Sequence, residues 1–285
     1  MNKKRVMIVL SVLLAVFLLS GCAPTATDAD GNIKLIYLTT TIKEMMEEGV
    51  FSAILIYPLA QAINFLNQYV GVGGAIMIVT LVLNAIILAF TFKSNVSMQR
   101  MQELQPELQK IQKKYEGRDD QASQQRMSME MTKLYQKYDV NPMTALLTTF
   151  IQFPVLIAMY NAVRRSAAVA TGVFFGVDLS LTPLESFRQG SYGALVIYVL
   201  MLVLQLLSIT APKMLAERKA RAEADRHHKH YEKPKDQNAM MSYGMIVFIG
   251  VLMISWPTAL SLYYSIYSVV NIIKTFAVDK LTNKM

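Results

Sequence analysis

The chain has 285 residues, 53% of them hydrophobic and 17% charged, whereas soluble domains carry about 25% charged residues. That deficit argues against an ordinary soluble domain and for a membrane protein. The net charge of +8 falls in stretches between apolar runs rather than on a folded basic face, so it reads as membrane topology and not as a sequence-specific nucleic-acid footprint.

Asn2-Lys3-Lys4-Arg5 is a basic n-region, Val6 to Leu18 an apolar h-region short for a span, and Leu19-Ser20-Gly21-Cys22 follows with small residues before the cysteine. This resembles a bacterial lipobox. It implies a signal peptide over 1–21 that is removed and an acyl group on Cys22, outside the cytoplasm; the alternative is an uncleaved signal anchor with an incidental cysteine. As the single cysteine, Cys22 also excludes a disulfide framework and a cysteine-based metal site.

The segment 22–49 is polar and expected to be a loosely ordered external stretch. Over 50–70, Gln61, Asn64, Asn67 and Gln68 recur on one helical face, while Phe51, Ile54, Leu55, Leu59, Ile63 and Leu66 gather away from them, which predicts an amphipathic helix lying in the membrane interface. Apolar runs near the length a bilayer requires follow at 73–92, 142–163, 192–211, 239–255 and 257–276. Asn141-Pro142 starts the second as N-cap and first helical proline, and Trp256-Pro257 separates the last two.

With five spans and an external N-terminus, the Lys- and Arg-rich stretches 93–139 and 212–238 and the tail 277–285 all fall in the cytoplasm, and 164–191 is an external loop. A sixth span over 50–70 would put both basic stretches outside. The run from Gly73 to Tyr115 passes from apolar to charged with no evident breaker. Within 93–139, Met98, Met101, Leu104, Leu108, Ile111 and Tyr115 form one apolar stripe and Met127, Met131, Leu134 and Tyr138 a second, across a turn at Glu116-Gly117, so an antiparallel helical hairpin is expected. The stretch 212–238 lacks such a face and is expected to fray from a helix into disorder.

The interiors of the spans hold no acidic or basic residue, and no nucleotide loop, HExxH or nucleophile elbow occurs, so neither a proton relay nor an enzyme or cofactor signature is present. His227, His228 and His230 lie in a basic loop without carboxylate or thiol partners and read as solvated rather than as a metal site. The spans carry uncharged polarity instead: Thr80, Asn84, Thr144, Thr148, Gln152, Asn161, Gln205, Ser261, Ser265, Ser268 and Asn271. Such groups serve either as glue between helices or as the lining of a wet cavity, and residue types alone leave both open.

The runs SMQRMQELQPELQKIQKKY, LYQKYDVNPMTALLTTFIQFPVLIAMY and SWPTALSLYYSIYSVVNIIKT resemble, in order and spacing, the YidC/OxaA/Alb membrane protein insertase family, and the lipobox resembles its Gram-positive branch. The likeness covers the chain from Val50 onward. It implies an all-α integral membrane protein: five transmembrane helices around a hydrophilic groove, a cytoplasmic helical hairpin and an external interfacial amphipathic helix. It further implies a plasma-membrane insertase and chaperone for nascent membrane proteins, with the ribosome and the Sec translocon as further partners and no cofactor. Thr80 and Tyr264 match groove-lining positions, Tyr263 is their neighbour, and Gln152 lies in IQFP. The family's groove arginine is replaced by Asn84, which supplies no charge. Lys93 is about half a turn out of phase with Asn84, and Arg164 and Arg165 are expected to meet lipid headgroups. Groove hydration and the hairpin are therefore expected to matter more here, with Met129 offering an adaptable apolar contact. Readings from other classes are a small-solute transporter or channel, and a structural subunit of a translocation complex.

Overall fold

The computed structural model describes residues 26–27, 30–118, 120–141, 143–226 and 239–282. The signal peptide, Cys22, Pro142, His227, His228 and His230 lie outside them. The chain folds as two compact units: Met1–Leu83, Phe150–Leu202 and Ile249–Tyr267 form the first, and Asn84–Thr149, Val203–Phe248 and Ser268–Met285 the second. Among the described residues helices dominate, and two, Ser52–Glu103 and Gly193–Arg226, are long and apolar enough to cross a membrane.

In the first unit, helix α1 (Ile42–Glu48) corrects the expectation of a loose external stretch. Thr41 caps it by accepting from the Glu44 amide, while Glu44 accepts in return from the Thr41 amide, a reciprocal box that supports even a short helix. A widened π-helical turn (Ser52–Ile56) leads into α2 (Tyr57–Glu103). Gly71, at φ 70° and ψ 167°, breaks the regular backbone of α2, a conformation costly for any residue with a Cβ. Two residues on, a Cβ at Gly73 would stand 2.0 Å from the Phe174 ring.

Part of the polar face predicted over 50–70 turns inward, although Gln68 is exposed. Asn64 is 5% exposed: it donates to the Ile36 carbonyl (2.7 Å) and accepts from the Ser166 hydroxyl (2.7 Å) and the Ala168 amide (3.0 Å). Gln61 donates to the carbonyls of Tyr37 and Thr40. Gln61 and Asn64 thus fasten the N-terminal stretch to this helix.

Helix α5 (Met143–Arg165) ends at two arginines, followed by α6 (Ala167–Ala170), a hairpin of β1 (Val173–Phe174) and β2 (Val177–Asp178), and α7 (Pro183–Arg188). Arg165 corrects the headgroup expectation. It is 2% exposed and forks onto Glu48 at 2.7 and 2.9 Å, with its Nε donating to the Lys34 carbonyl. Arg164 instead lies over the Tyr160 ring. Helix α8 (Gly193–Arg226) runs unbroken through Pro212. Helices α9 (Ala239–Ile254) and α10 (Thr258–Thr282) are split at Ser255-Trp256-Pro257, and the first amides of α10 find partners in the 164–191 segment: Thr258 donates to Leu181 O and Ala259 to Leu179 O.

In the second unit the charged continuation of α2 is not unbroken. It stops at Glu103, and α3 (Gln105–Lys114) begins past Leu104, because Pro106 has no amide to extend the α2 ladder. Helix α4 (Gln121–Lys137), capped by Asp120, returns antiparallel: Glu130 accepts from Lys114 and Tyr115, and Tyr138 donates to Glu107. Leu104, Leu108 and Val140 are buried in the seam with Met101, Met131, Leu134 and Tyr135 around them. Tyr138 is 37% exposed, so Tyr135 takes the seam position expected of it: α4 has ended, and Asp139, at φ 50°, turns Val140 inward.

Candidate functional site: buried polar stripes on the apolar helices

Two helices carry polar residues in helical register. On α2, Thr80, Asn84, Thr91 and Asn95 recur at intervals that keep one face. Thr80 is fully buried, and Asn84 and Thr91 are each 2% exposed. Thr80 donates to the Ile76 carbonyl at 2.6 Å, Thr91 to Ile87 O, and Asn95 to Thr91 O. Thr91 and Asn95 were not singled out from sequence; the same four- and seven-residue spacing that marks Thr80 and Asn84 would have found them.

On α10 the corresponding stripe is Ser261, Tyr264, Ser265 and Ser268, all buried. Within the first unit, Tyr263 and Tyr264 meet edge to face at 5.3 Å, and Tyr267 closes an aromatic trio. Tyr263 is fully buried in that unit's core, and Tyr264 is 4% exposed in the same cluster. Gln152 of α5 stands beside the Tyr263 hydroxyl. Tyr263 Oη and Gln152 Nε2 are buried facing groups whose contact falls short of full hydrogen-bond geometry, and the Ser261 hydroxyl is buried on the same helix as Tyr263. The structure thus brings Gln152, Tyr263 and Tyr264 together, with Ser261 on the same helix. It places Thr80 in the first unit and Asn84 one turn further along α2, at the start of the second.

Within the second unit, Ser268 donates to Gln205 Oε1 at 2.6 Å, a buried bond between α10 and α8. Further along, Lys219 of α8 bridges Glu103 of α2 (2.7 Å) and Asp279 of α10, and Gln99 donates to Asp279. Burial opposes the Lys219 charge, but the Asp279 and Glu103 carboxylates outweigh it and hold its pKa above the usual lysine value. Among the described residues no group of three or more His, Cys, Asp or Glu could hold a metal ion.

Two apolar helices long enough to cross a bilayer, in a chain that is helical in most of its described residues and buries uncharged polar side chains, mark a helical membrane protein. The chain belongs to the family described as 60Kd inner membrane protein, which matches residues 65–285. It is similar to "Membrane protein insertase YidC 2" of Bacillus anthracis, 31% identical over 232 residues that cover 81% of each chain. It is 28% identical over 282 residues to "Membrane protein insertase YidC" of Oceanobacillus iheyensis, covering 98% of this chain and 97% of that one. With "Membrane protein insertase MisCA" of Bacillus subtilis it shares 28% identity over 278 residues, covering 97% and 92%.

Proposed function

We propose that this chain is a membrane protein insertase and chaperone that receives hydrophobic segments of nascent membrane proteins in a polar intramembrane groove and releases them sideways into the bilayer. In this reading five helices span over 73–92, 142–163, 192–211, 239–255 and 257–276, and 50–70 lies in the outer interface. The hairpin 93–139, the loop 212–238 and the tail face the cytoplasm. Thr80, Asn84, Gln152, Tyr263 and Tyr264 line the groove, and Cys22 carries a lipid anchor on a multi-pass plasma-membrane protein. The ribosome and the Sec translocon are partners on the same reading.

The observation that carries it is the buried polar cluster of the first unit, in which Gln152 faces the Tyr263 hydroxyl and Ser261 lies on the same helix as Tyr263. Polar groups buried among apolar helices need hydrogen-bond partners, and a cluster of them is adaptable when a second polar chain comes within reach. In an insertase the same groups exchange partners with the polar flank of a passing chain. No nucleotide is needed, because transfer of an apolar segment into lipid is favourable by roughly 25 cal/mol per Å². Nor do the spans hold the ionisable interior residues expected of many ion-coupled transporters.

The test is insertion of a single-span substrate into liposomes holding the purified protein, read by protease protection. Protection above that of empty liposomes is expected, reduced by Gln152→Leu and Tyr263→Phe. Protection no greater than in empty liposomes overturns the reading.

A further inference from the structure

We infer that the tip of the β1–β2 hairpin, Phe175-Gly176, is a lipid anchor: the Phe175 ring inserts at the acyl–headgroup boundary of the leaflet that the 164–191 segment faces. In the topology proposed above that leaflet is the outer one, and the inference rests on the insertase reading for the side of the membrane only.

Within the first unit, the depth of the hairpin is set by what it packs against. A Cβ at Gly73, where the first predicted span begins, would overlap the Phe174 ring, and one at Gly193, the first residue of α8, would overlap Val177. Just past the hairpin, the Leu181 and Leu179 carbonyls accept from the Thr258 and Ala259 amides, at the start of α10. The segment 173–181 is thereby held at one end of three helices, at the level where the first, third and fifth predicted spans leave the bilayer.

The residue at the tip is chosen against both the turn and water. Phe174 pairs with Val177, which leaves a two-residue loop. Phe175 (φ 49°) and Gly176 (φ 79°) both have positive φ, a turn that favours Asn, Asp or Gly at its first position and disfavours a bulky ring. Phe175 is also 92% exposed, more than any other large apolar side chain among the described residues. From Thr171 to Val177 the sequence carries no charge. Such a tip gains nothing in water, whereas at the acyl–headgroup boundary its apolar area is buried. The surface beside it is of the same kind: next to Gly193, Tyr192, Val196 and Leu200 form a stripe at four-residue steps, 64%, 65% and 51% exposed, on a helix long and apolar enough to cross a membrane. The tip therefore continues the face that α8 offers to lipid.

The experiment uses the full-length protein in phosphatidylcholine liposomes, with and without phosphatidylcholine brominated in its acyl chains, which quenches tryptophans that touch lipid. Phe175→Trp is read in a chain whose single tryptophan, Trp256, is changed to Phe. If that change prevents folding, Trp256 is kept and the emission of the unaltered protein is subtracted. Met129→Trp, at a position 55% exposed on α4, is the control in water. The new tryptophan at the tip should lose about half its emission to brominated lipid, emit to the blue of the control and resist aqueous iodide several-fold better than the control does. Iodide quenching equal to the control, with no effect of bromine, overturns the inference. Quenching by neither agent, the sign of a tip covered by a second copy of the chain, overturns it too. Insertion of a single-span substrate is measured in the same liposomes. A tip in lipid without protease-protected insertion removes the insertase reading and leaves the anchor; a tip in water with insertion intact removes the anchor alone.

Discussion

Arg165 and Glu48 stand 117 residues apart in the chain and meet as a two-pronged ion pair in which the guanidinium is 2% exposed. Burial alone would raise the Glu48 pKa, but the hydrogen bonds and charges of Arg165 and Lys34 together outweigh it and hold the carboxyl below its usual 4.5. A depressed carboxylate contributes stability that is present above the unfolded value and lost as pH falls through the lower folded one. Melting of the detergent-solubilised protein should therefore weaken as pH falls below about 4.5, and Glu48→Gln should remove that part of the pH dependence. Arg165→Met should cost about 3 kcal/mol at neutral pH, since it leaves the carboxylate without its main partner. A melting curve that does not move with either change would show the pair to be incidental.

The close approach of Gly73 to Phe174 makes a second prediction. A methyl at position 73 overlaps the ring, so Gly73→Ala should destabilise by about 1–3 kcal/mol, and Phe174→Ala in the same chain should recover part of the loss. Additive losses in the double variant, measured by thermal melting, would mean that the contact is not what limits position 73.

Lys219 ties three helices of the second unit through carboxylates that keep part of their surface in solvent. Its side chain is 28% exposed, which screens the pairs, so Lys219→Met should cost only about 1 kcal/mol. The penalty should shrink in high salt. A loss that is the same at low and high ionic strength would point to packing of the lysine stem instead.

Asn84 carries no charge, and a single amide hydrogen bond between membrane helices is worth on average about 0.6 kcal/mol, so Asn84→Ala should lower insertion by no more than about threefold. A loss beyond about tenfold in the liposome assay would assign Asn84 a role that hydrogen bonding of this size does not account for.

Much of this was legible in the chain itself. Low charge and long apolar runs mark the membrane class, and LQPE, IQFP and WPTALSLYY mark the family, because each of these signals is local. The seam residues Leu104 and Leu108 follow from helical periodicity, whereas Tyr138 does not, since its placement depends on where α4 ends. The burial of Asn64 and Arg165 was not legible. Their partners Ile36, Ser166, Lys34 and Glu48 are brought to them only by the fold, and a polar face reads the same in sequence whether water or a returning segment covers it. At the candidate site, the residue types at Thr80, Asn84 and Tyr264 were apparent, but the meeting of Gln152 with Tyr263 in the buried interior needed coordinates.

The interruption at Leu104 gives the second unit a joint. Upstream of it, α2 runs as regular helix from Gly71 to Glu103; downstream, the α3–α4 hairpin has its own seam. The Leu104 amide still donates to the Arg100 carbonyl and the Leu108 amide to the Leu104 carbonyl, while the Leu104 side chain packs into the hairpin seam, so one residue both ends the apolar helix and starts the core of the hairpin.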